Sequence, residues 1–563
     1  EIALHLALLS LGVGLVAREI GASREGRTFA EVAAWSAGPV LVTVGVLNNL
    51  ETLTWLPWMV FSVRDKDRRS VPLLAAVTAL GWLGGEPQVW LIGVVLAVAV
   101  SRHRGRALIG ISLGVAVSAV QLVPFLAWVA EGDRGPAASW LLRGAVTPVD
   151  WSGVLVPWLS STAGRMVYAE SLFLGAPLLV CAFLGGWRRR WLLGVVVGFA
   201  LLATLPEIGA GHLFVILTGG LVRYPSRFAL IGLALLLPLA GRGVDDWLQG
   251  RGRSLAVVTA GLTLLACLVS HHPLRWWAAG TPALLMLIAA LVPARRPLRM
   301  AALVAGIAGM VVAGLPLVGL RPVTEIRSAQ PTWPEAVDAG RVYVPTPAED
   351  VMPWLASGLG PRRLWPVGYL NLEEGLALTR TDAPVTNQRL ASHIAITDQG
   401  PAQRWWLDAL AAEWIILPEG KGLPNDMEQV ASRGGMRLLR NLDAMPLMWL
   451  ADRPPDPEQP GNHIGEVTYQ RLIGNTCSVK VSTPIDGWLS LSLAPVNGWS
   501  WHLDGRPVEL KQGPGIVQYL KVAEGNHHLE GRYRPPLHSW TSMLSGCAVL
   551  VVLAGLVGRR QDT

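Results

Sequence analysis

The segment WRRRWLLGVVVGFALLATL, residues 187–205, contains the pattern from which the fold class of this chain follows. It joins a cluster of arginines to an apolar run, 190–205, that approaches the ~17 residues an α-helix needs to cross a bilayer. Lysine and arginine collect in the loops on the cytoplasmic side of membrane proteins. The stretch therefore predicts a membrane-spanning helix that begins in the cytoplasm.

The same pairing of basic loops with apolar runs recurs along the sequence. The basic loops are short and comprise Arg64 to Arg69, Arg102 to Arg106, Arg188 to Arg190, Arg242 to Arg253, Arg295 to Arg299, and Arg559 with Arg560. They alternate with loops that hold most of the other unusual polar residues, so one inside-outside assignment fits every loop. We count about thirteen apolar runs that approach or exceed the length of a span: 2–17, 29–47, 52–63, 71–84, 88–100, 107–127, 170–186, 190–205, 223–241, 254–270, 276–292, 300–318 and 538–557. Three of these, 52–63, 71–84 and 88–100, are too short to cross alone and would tilt or form re-entrant pairs.

The composition supports a polytopic α-helical membrane protein. Hydrophobic residues make up 51% and charged residues 15% of the 563 residues, whereas soluble domains average about 25% charged. The net charge of +7 does not predict nucleic-acid binding, because topology and anionic headgroups explain basic residues in short loops. Only Cys477 lies outside the predicted spans, and no zinc-type spacing occurs, so the sequence predicts no disulfide, metal site or cofactor.

A change of composition separates residues 319–537 from the spans around them. We predict a transmembrane core at 1–318, an α/β region at 319–460, a β-sandwich at 461–537, and a last helix with a short cytoplasmic tail at 538–563. Cys477 to Ser482 alternates apolar and polar residues as a half-buried strand does. Asp504-Gly505 is typical of a hairpin turn. The charge rule places this inserted α/β plus β-sandwich domain outside the cytoplasm.

The first predicted span also has an orientation. Span 2–17 is followed by Arg18, Arg24 and Arg27, so it is expected to run from outside to inside. Because no charged segment or cleavage site precedes it, it is not a signal peptide. We expect a further N-terminal portion before Glu1.

Two arginines mark the start of the apolar run 223–241. Arg223 and Arg227 are four residues apart and are expected to share one face of a helix turn that Pro225 helps to start. A helix N-terminus that carries two guanidinium groups favours phosphate. Alternatively, both arginines snorkel and anchor the span at lipid headgroups.

Four further candidates for substrate binding lie in loops predicted to face outward. Glu86 lies in a Gly-Gly-Glu-Pro turn, and a carboxylate at membrane depth is costly enough to indicate function, although an exposed turn glutamate is the simpler interpretation. Asn49 and Glu51 form the neighbouring turn and could bind sugar hydroxyls, but turn and cap chemistry explains them equally well. Glu170 lies at the mouth of the run 170–186.

Several segments resemble the YfhO-like family of bacterial membrane proteins. They are Leu407 to Leu417, Asn441 to Leu447, Gly498-Trp-Ser-Trp-His-Leu-Asp504-Gly505, Gly525 to Glu530, Leu83-Gly-Gly-Glu-Pro-Gln88, Arg223-Tyr-Pro-Ser-Arg227-Phe, and Gly241-x-Gly243. Their order, spacing and placement relative to the spans resemble those of the family over almost the whole chain.

The YfhO-like family in turn resembles the GT-C superfamily of polytopic glycosyltransferases. The resemblance implies transfer of a sugar from a polyprenyl-phosphate donor to a cell-envelope glycan, such as a teichoic acid, on the outer face of the bacterial cytoplasmic (inner) membrane. It also implies an acidic catalytic base in the first large outer loop, which is expected to precede Glu1, so the base is not assigned within this chain. The pair Asp245-Asp246 is similar to a GT-C acidic pair, but the charge rule places it in the cytoplasm.

Two other functions fit the same sequence. A transporter or flippase of lipid-linked glycans would have pseudo-symmetric halves and polar residues at mid-span, whereas the polar residues here lie at the predicted outer ends. A non-catalytic envelope assembly protein, with the sandwich as its binding module, also fits because the catalytic base is not assigned.

Overall fold

The computed structural model describes residues 1–64, 70–133, 142, 144–157, 171–187, 189–270, 273–292, 296–315, 341–344, 377–378, 386–399, 404–419, 427–433, 435–473 and 475–557. The chain divides into two compact units. The first comprises Glu1–Leu122, Pro136–Leu320 and Trp540–Thr563, and the second comprises Val123–Gly135 and Arg321–Ser539. The second unit thus overlaps the segment that the sequence separates from the spans.

Helices make up the first unit. In chain order the helices of the described residues are α1 Ile2–Glu19, α2 Arg24–Ser36, α3 Gly38–Leu41, α4 Leu47–Arg64, α5 Ser70–Leu83, α6 Pro87–Val100, α7 Arg104–Val117, α8 Ala119–Glu131, α9 Ala176–Trp187, α10 Arg190–Thr204, α11 Gly211–Thr218, α12 Ser226–Leu248, α13 Arg253–Ser270, α14 Pro273–Leu291, α15 Arg296–Gly314, α16 Gln388–Thr397, α17 Arg404–Asp408 and α18 His538–Val557. Of these, α16, α17 and most of α8 belong to the second unit.

Seven of the described helices are long and apolar enough to cross a membrane, namely α1, α10 with its extension to Ile208, α12, α13, α14, α15 and α18. The pair α7 and α8 also meets this standard but bends by 79° at its break, and α5, α6 and α9 are apolar but shorter. The chain is therefore a multi-pass membrane protein. The count of about thirteen spans stays a prediction.

The apolar run 29–47 does not form one helix. After α2 ends at Ser36, the single turn α3 and a 3-10 turn, Val42–Gly45, precede the start of α4 at Leu47. Pro39 lies at the start of α3 and has no N–H to continue the hydrogen-bond ladder of α2. The prediction of a continuous span at 29–47 is therefore wrong, and the shorter run 52–63 lies within the 18-residue α4.

Helix α12 lies at the centre of the first unit, and 89% of its 18-residue apolar segment is buried. A Cβ atom at Gly243 would lie 1.7 Å from the carbonyl oxygen of Cys181 in α9, and one at Gly241 would lie 2.7 Å from that of Gly26 in α2. Glycine at these positions lets the helix backbones approach closely, as is common in membrane proteins. The Gly241-x-Gly243 motif therefore serves helix packing.

The two ends of α12 meet the two kinds of loop. Near the C-terminal end, Asp245 accepts a hydrogen bond from the backbone N–H of Ser23 at 3.0 Å. At the N-terminal end, Arg227 pairs with Glu86. The helical rise places these residues of α12 about 27 Å apart along its axis. Loops that the sequence assigns to opposite sides of the membrane thus meet opposite ends of one helix.

The second unit contains a mixed sheet and a β-sandwich. Its strands are β1 Gly132–Asp133, β2 Arg341–Tyr343, β3 Ala377–Leu378, β4 Thr386–Asn387, β5 Ala412–Pro418, β6 Glu428–Arg433, β7 Met436–Arg440, β8 Met448–Ala451, β9 Glu466–Ile473, β10 Thr476–Thr483, β11 Gly487–Ser492, β12 Trp499–Leu503, β13 Arg506–Val508, β14 Lys511–Gln512, β15 Val517–Val522 and β16 Gly525–Tyr533. In the mixed sheet, ordered β3-β2-β5-β7-β6, β2 is parallel to β3 and β5, and the other pairs are antiparallel.

Two antiparallel sheets, ordered β13-β12-β16-β10-β9 and β14-β15-β11-β8, form the sandwich. Alternate residues of their strands point inward, and residues of both sheets, such as Val479 and Leu489, share one apolar core. Strand β8 pairs with β11, so the sandwich includes a strand from the region 319–460 that the sequence assigns to the α/β part.

The Asp-Gly and Gly-x-His motifs of the sandwich contact each other. Asp504 and Gly505 have φ values of 53° and 77°, as a type I′ hairpin turn requires. The Asp504 carboxylate bonds to His527 Nδ1 at 2.7 Å and to the backbone N–H of His528 at 2.8 Å. The hydrogen bond from His527 lowers the pKa of Asp504. Both motifs therefore stabilise the junction of β12 and β16.

The Asn441 motif has a similar structural role. Asn441 Nδ2 donates to Asp408 Oδ1 at 2.8 Å and to the carbonyl of Ala412 at 3.1 Å. Arg404 pairs with Asp408 at 3.0 Å and donates to Asn441 Oδ1. Burial raises the pKa of Asp408. The motif thus joins α17, β5 and the segment after β7.

Candidate functional site

Glu86 lies in the tight turn that joins α5 to α6. Helix α5 ends at Leu83, and Gly85 has a φ of 85°, which lies in the left-handed region that favours glycine. Pro87 opens α6 at a position where its missing N–H costs nothing. As the N-cap of α6, Glu86 accepts a hydrogen bond through Oε1 from the backbone N–H of Gln88 at 3.3 Å. The local sequence thus fixes the carboxylate at a helix start.

The same turn is anchored to α4. The backbone N–H of Glu86 donates to Thr52 Oγ1 at 3.1 Å. A Cβ atom at Gly84 would lie 2.8 Å from the backbone nitrogen of Thr52, so glycine is needed for this close approach. Asn48 Nδ2 donates a long hydrogen bond, 3.5 Å, to Glu86 Oε2.

The segment before α12 differs from the prediction. Helix α12 begins at Ser226, so Arg223 precedes the helix. Tyr224 has a φ of 59°, and the proline that follows it disfavours the right-handed helical conformation at this position. The prediction that Arg223 and Arg227 share one face of a helix is therefore wrong.

Gln88 connects the two arginines instead. Its Oε1 accepts hydrogen bonds from the backbone N–H of Arg223, at 2.8 Å, and from Nη1 of Arg227. Nη2 of Arg227 donates to Glu86 Oε2 at 3.0 Å. The Cζ atom of Arg227 lies 5.2 Å from the ring centroid of Tyr224, within the range of a cation–π contact. These five residues are termed the turn cluster.

The ion pair of the turn cluster is buried. The side chains of Arg227 and Glu86 are 4% and 9% exposed. Removing one partner of such a pair costs about 3–5 kcal/mol, because the other charge is left buried. The sequence predicts direct substrate binding by both residues, whereas their mutual contact suits a role in positioning. Arg223 itself is partly exposed.

The remaining candidates do not join the turn cluster through a side-chain contact among the described residues. Asn49 is 2% exposed, and its Oδ1 has no hydrogen-bond partner there. Glu51 lies beside His5 and Glu1, with ligand atoms within 4.8 Å of one another, close enough to share a cation, although the sequence predicts no metal site. Glu170 lies outside the described residues.

Gln88 and Thr52 are among the residues of this region that the sequence-based set of candidates lacks. Gln88 belongs to the same Gly-Gly-Glu-Pro-Gln turn as Glu86, so the motif contains a signal for it. Thr52 carries no such signal, because its contact depends on how α4 packs against the turn. Fold and site together define a multi-pass membrane protein with a buried ion pair at the N-terminal end of its central helix.

The chain has a low-level similarity to two solved structures of one glycosyltransferase. No family model matches the chain, and no curated protein matches it. A cryo-EM structure of arabinofuranosyltransferase AftD from Mycobacteria is similar, with 13% identity and a TM-score of 0.42 over 94% of this chain and 50% of that one. A mutant of the same enzyme gives 12% identity and a TM-score of 0.41 over 95% and 53% of the two chains. The chain spans about half the length of these structures. Similarity at this level does not establish a shared activity.

Proposed function

We propose that this protein is a GT-C-like membrane glycosyltransferase. In this proposal it transfers a sugar from a polyprenyl-phosphate donor to a cell-envelope glycan on the outer face of the cytoplasmic membrane. The resemblance of its motifs to the YfhO-like family supports the reaction class, and the basic loops support the orientation. The turn cluster is the observation that carries the proposal.

Arg223 is the residue proposed to bind the donor phosphate. Gln88 holds the backbone N–H of Arg223 at 2.8 Å, and the buried pair of Arg227 and Glu86 holds Gln88 in turn. In this proposal Arg223, a partly exposed residue, presents parallel N–H donors to the phosphate, the geometry that arginine offers and lysine does not. Arg227 and Glu86 thus act through Arg223 as positioning residues.

The chemistry assigned to Arg223 is stabilisation of the leaving group. The bond between the anomeric carbon and the phosphate oxygen breaks, and a bond forms between that carbon and an acceptor hydroxyl oxygen. The departing polyprenyl phosphate gains negative charge, which a fixed cation stabilises. The proton of the acceptor hydroxyl passes to a carboxylate base, which is not assigned here. Asn49, Glu51 and Glu170 stay proposed substrate-binding residues.

Substitution of Arg223 tests the proposal. Loss of a charge-assisted contact in the transition state costs about 2–4 kcal/mol, or roughly 30- to 1000-fold in rate. Arg223→Ala should therefore nearly abolish sugar transfer from a polyprenyl-phosphate donor by the purified full-length protein, and Arg223→Lys should restore only part of it. Arg106→Ala, which alters an exposed arginine in the first turn of α7, should transfer sugar as the wild type does.

A lipid-anchoring role predicts a different result. Lysine would then replace Arg223 fully, and alanine would lower the yield of folded protein more than its specific activity. Wild-type activity in Arg223→Ala would overturn the site. Wild-type protein that moves or binds the lipid-linked glycan without transferring sugar would favour the transporter or the non-catalytic assembly protein.

A further inference from the structure

A cleft of about 650 Å³ opens at the edge of the β-sandwich. Strands β12 and β13 of one sheet and β14 and β15 of the other contribute to it, and its lining includes Trp499, Trp501, Asn497, Glu509, Gln512 and Gln518. We term it the edge cleft. Its volume is typical of small-molecule sites, which enclose about 300–1,000 Å³.

The apolar part of the edge cleft is a rigid aromatic platform. Trp499 and Trp501 are alternate residues of β12 and so face the same side, with their rings stacked at 5.2 Å and 18°. Trp501 is 6% exposed, and a Cβ atom at Gly531 would lie 2.4 Å from its ring. The ring of Tyr533 lies 5.6 Å from that of Trp499 and is tilted by 50° to it. The partly exposed indole of Trp499 is thus held in place at the rim of the cleft.

The polar part of the edge cleft includes three amide side chains, those of Asn497, Gln512 and Gln518, together with Ser500 and His502. Each amide group carries both a donor and an acceptor, the combination that neighbouring sugar hydroxyls require. Gln518 Nε2 donates to the carbonyl of Leu493 at 2.9 Å, which fixes the orientation of its amide. Among the described residues, the lining contains one arginine, Arg389, one carboxylate, Glu509, and the imidazole of His502. A polyanion such as a nucleic acid needs several cations, so this lining suits a neutral ligand.

We propose that the edge cleft binds a neutral oligosaccharide. One sugar ring stacks its C–H face on the indole of Trp499, and its hydroxyls bond to the amides around the rim. A ligand with an apolar face and a hydroxylated edge matches both parts of the lining. A proline-rich peptide also docks on aromatic residues, but it needs a row of exposed rings, and Trp501 is buried.

The role of this binding rests on the proposed function, because a transferase must hold its acceptor glycan. The binding itself requires no donor and no transfer. It is therefore measured without a donor, so that failure of the edge cleft and failure of the transfer reaction are distinguishable.

Saturation-transfer NMR on the full-length protein in nanodiscs tests the inference. The probes are neutral hexasaccharides of glucose, mannose, galactose and xylose, with a sulfated hexasaccharide and a proline-rich decapeptide as comparison ligands. At least one neutral probe should bind. Trp499→Ala should weaken that binding about 30-fold, as truncation of a central aromatic residue does, and Trp499→Phe should restore part of it.

Two further variants separate binding from folding. Gln512→Ala changes an exposed lining residue and should weaken binding several-fold without affecting the fold. Trp488→Ala is the matched control, since Trp488 is also a partly buried sandwich tryptophan, packed on Tyr519 at 5.6 Å, but does not line the cleft. It should bind as the wild type does.

Three results would overturn the proposal. They are binding of none of the neutral probes, wild-type affinity in both Trp499→Ala and Gln512→Ala, or binding of only the sulfated sugar or the peptide. The first two would show that the edge cleft does not bind glycans, and the third would assign it a different ligand.

Discussion

The ion pair between Arg227 and Glu86 holds the turn cluster together. Its partners are 141 residues apart in the sequence, and nothing in the pattern of either segment predicts that they meet. The sequence identifies both residues as unusual, because charges at membrane depth are costly. It cannot show that they neutralise each other, because that depends on the packing of α6 against α12.

Removal of one partner of the Arg227–Glu86 pair should lower the free energy of unfolding far more than replacement of both. Glu86→Ala leaves the Arg227 guanidinium buried without its carboxylate, which should lower the free energy of unfolding by about 3–5 kcal/mol. The double variant Glu86→Ala/Arg227→Met should recover much of this loss. The control is Glu25→Ala, which breaks the exposed pair of Glu25 and Arg296, 2.6 Å apart, and should cost less than about 1 kcal/mol. Thermal unfolding in detergent compares the variants, and equal losses for Glu86→Ala and Glu25→Ala would contradict the assignment.

His393 is a second residue whose surroundings determine its protonation state. Its Nε2 donates to the carbonyl of Trp406 at 2.6 Å, and its Nδ1 accepts from the backbone N–H of Ile516 at 3.3 Å. This arrangement requires the neutral ring, because a protonated Nδ1 cannot accept. Burial lowers the pKa of His393 below its usual value.

The stability of the second unit should therefore depend on pH through His393. The unfolded chain takes up a proton near the ordinary histidine pKa of about 6.5, whereas the folded chain resists it. The stabilisation is complete above this pH and is lost as the pH falls below it, by at most about 1.4 kcal/mol per pH unit. Melting temperatures should be measured from pH 8 to pH 5. The difference in melting temperature between the wild type and His393→Gln should become smaller toward pH 5. A gap that is constant or widens would exclude the neutral-ring arrangement.

Helix packing around α12 is set by glycines, and this part of the fold follows from the sequence only in outline. The apolar runs predict that helices form, and Gly241-x-Gly243 stands out within α12 as a motif. Which helices these glycines face is a matter of tertiary structure, since the Cβ positions at Gly243 and Gly241 point toward the backbones of α9 and α2.

Gly243→Ala should push α9 and α12 apart. The added methyl group would lie 1.7 Å from the Cys181 carbonyl oxygen, and overpacking of this kind typically costs 1–3 kcal/mol. Gly198→Ala and Gly261→Ala are the controls, because these helical glycines have no atom within 4 Å of the added Cβ. They should be neutral or stabilising by up to about 1 kcal/mol. Unfolding measurements that rank Gly243→Ala with the controls would show that the helices do not pack as described.

The break between α7 and α8 illustrates how a membrane helix tolerates a sharp bend. Within the bilayer, freed backbone groups must find partners inside the protein. Ser545 of α18 supplies them, since its hydroxyl accepts from the backbone N–H of Val120 at 3.0 Å and donates to the carbonyl of Ala116 at 3.2 Å. A side chain of α18 thus satisfies backbone groups that are freed at the bend between α7 and α8.

Ser545→Ala should destabilise this bend. Hydrogen bonds between membrane helices contribute about 0.6 kcal/mol on average and at most about 1.7, so we expect a loss of about 1 kcal/mol. Cys547→Ala, at an exposed position of the same helix, should change nothing. Hydrogen exchange should increase in the peptide around Val120 in the serine variant alone, and unchanged exchange there would contradict the proposed support.

At the scale of the whole molecule, the sequence predicts the separation of a helical membrane part from a β-rich part. Periodicity and turn residues identify strands such as β10 and the Asp504-Gly505 hairpin, because these signals are local. The prediction of one span at 29–47 fails because hydropathy alone does not reveal that the helix is broken at Pro39. The pairing of β8 with β11 also lies beyond local signals, since the two strands are separated by β9 and β10.

The sidedness of α12, whose N-terminal end carries the turn cluster, decides whether sugar transfer can take place on the outer face. In a Cys547→Ser background, Leu221→Cys and Gln249→Cys place exposed thiols just before and just after this helix, and Ser500→Cys places one at the edge cleft. A membrane-impermeant maleimide applied to intact cells should label Leu221→Cys and Ser500→Cys, and it should label Gln249→Cys only after permeabilisation. Labelling of Gln249→Cys on intact cells, with Leu221→Cys protected, would place the turn cluster in the cytoplasm and contradict sugar transfer on the outer face.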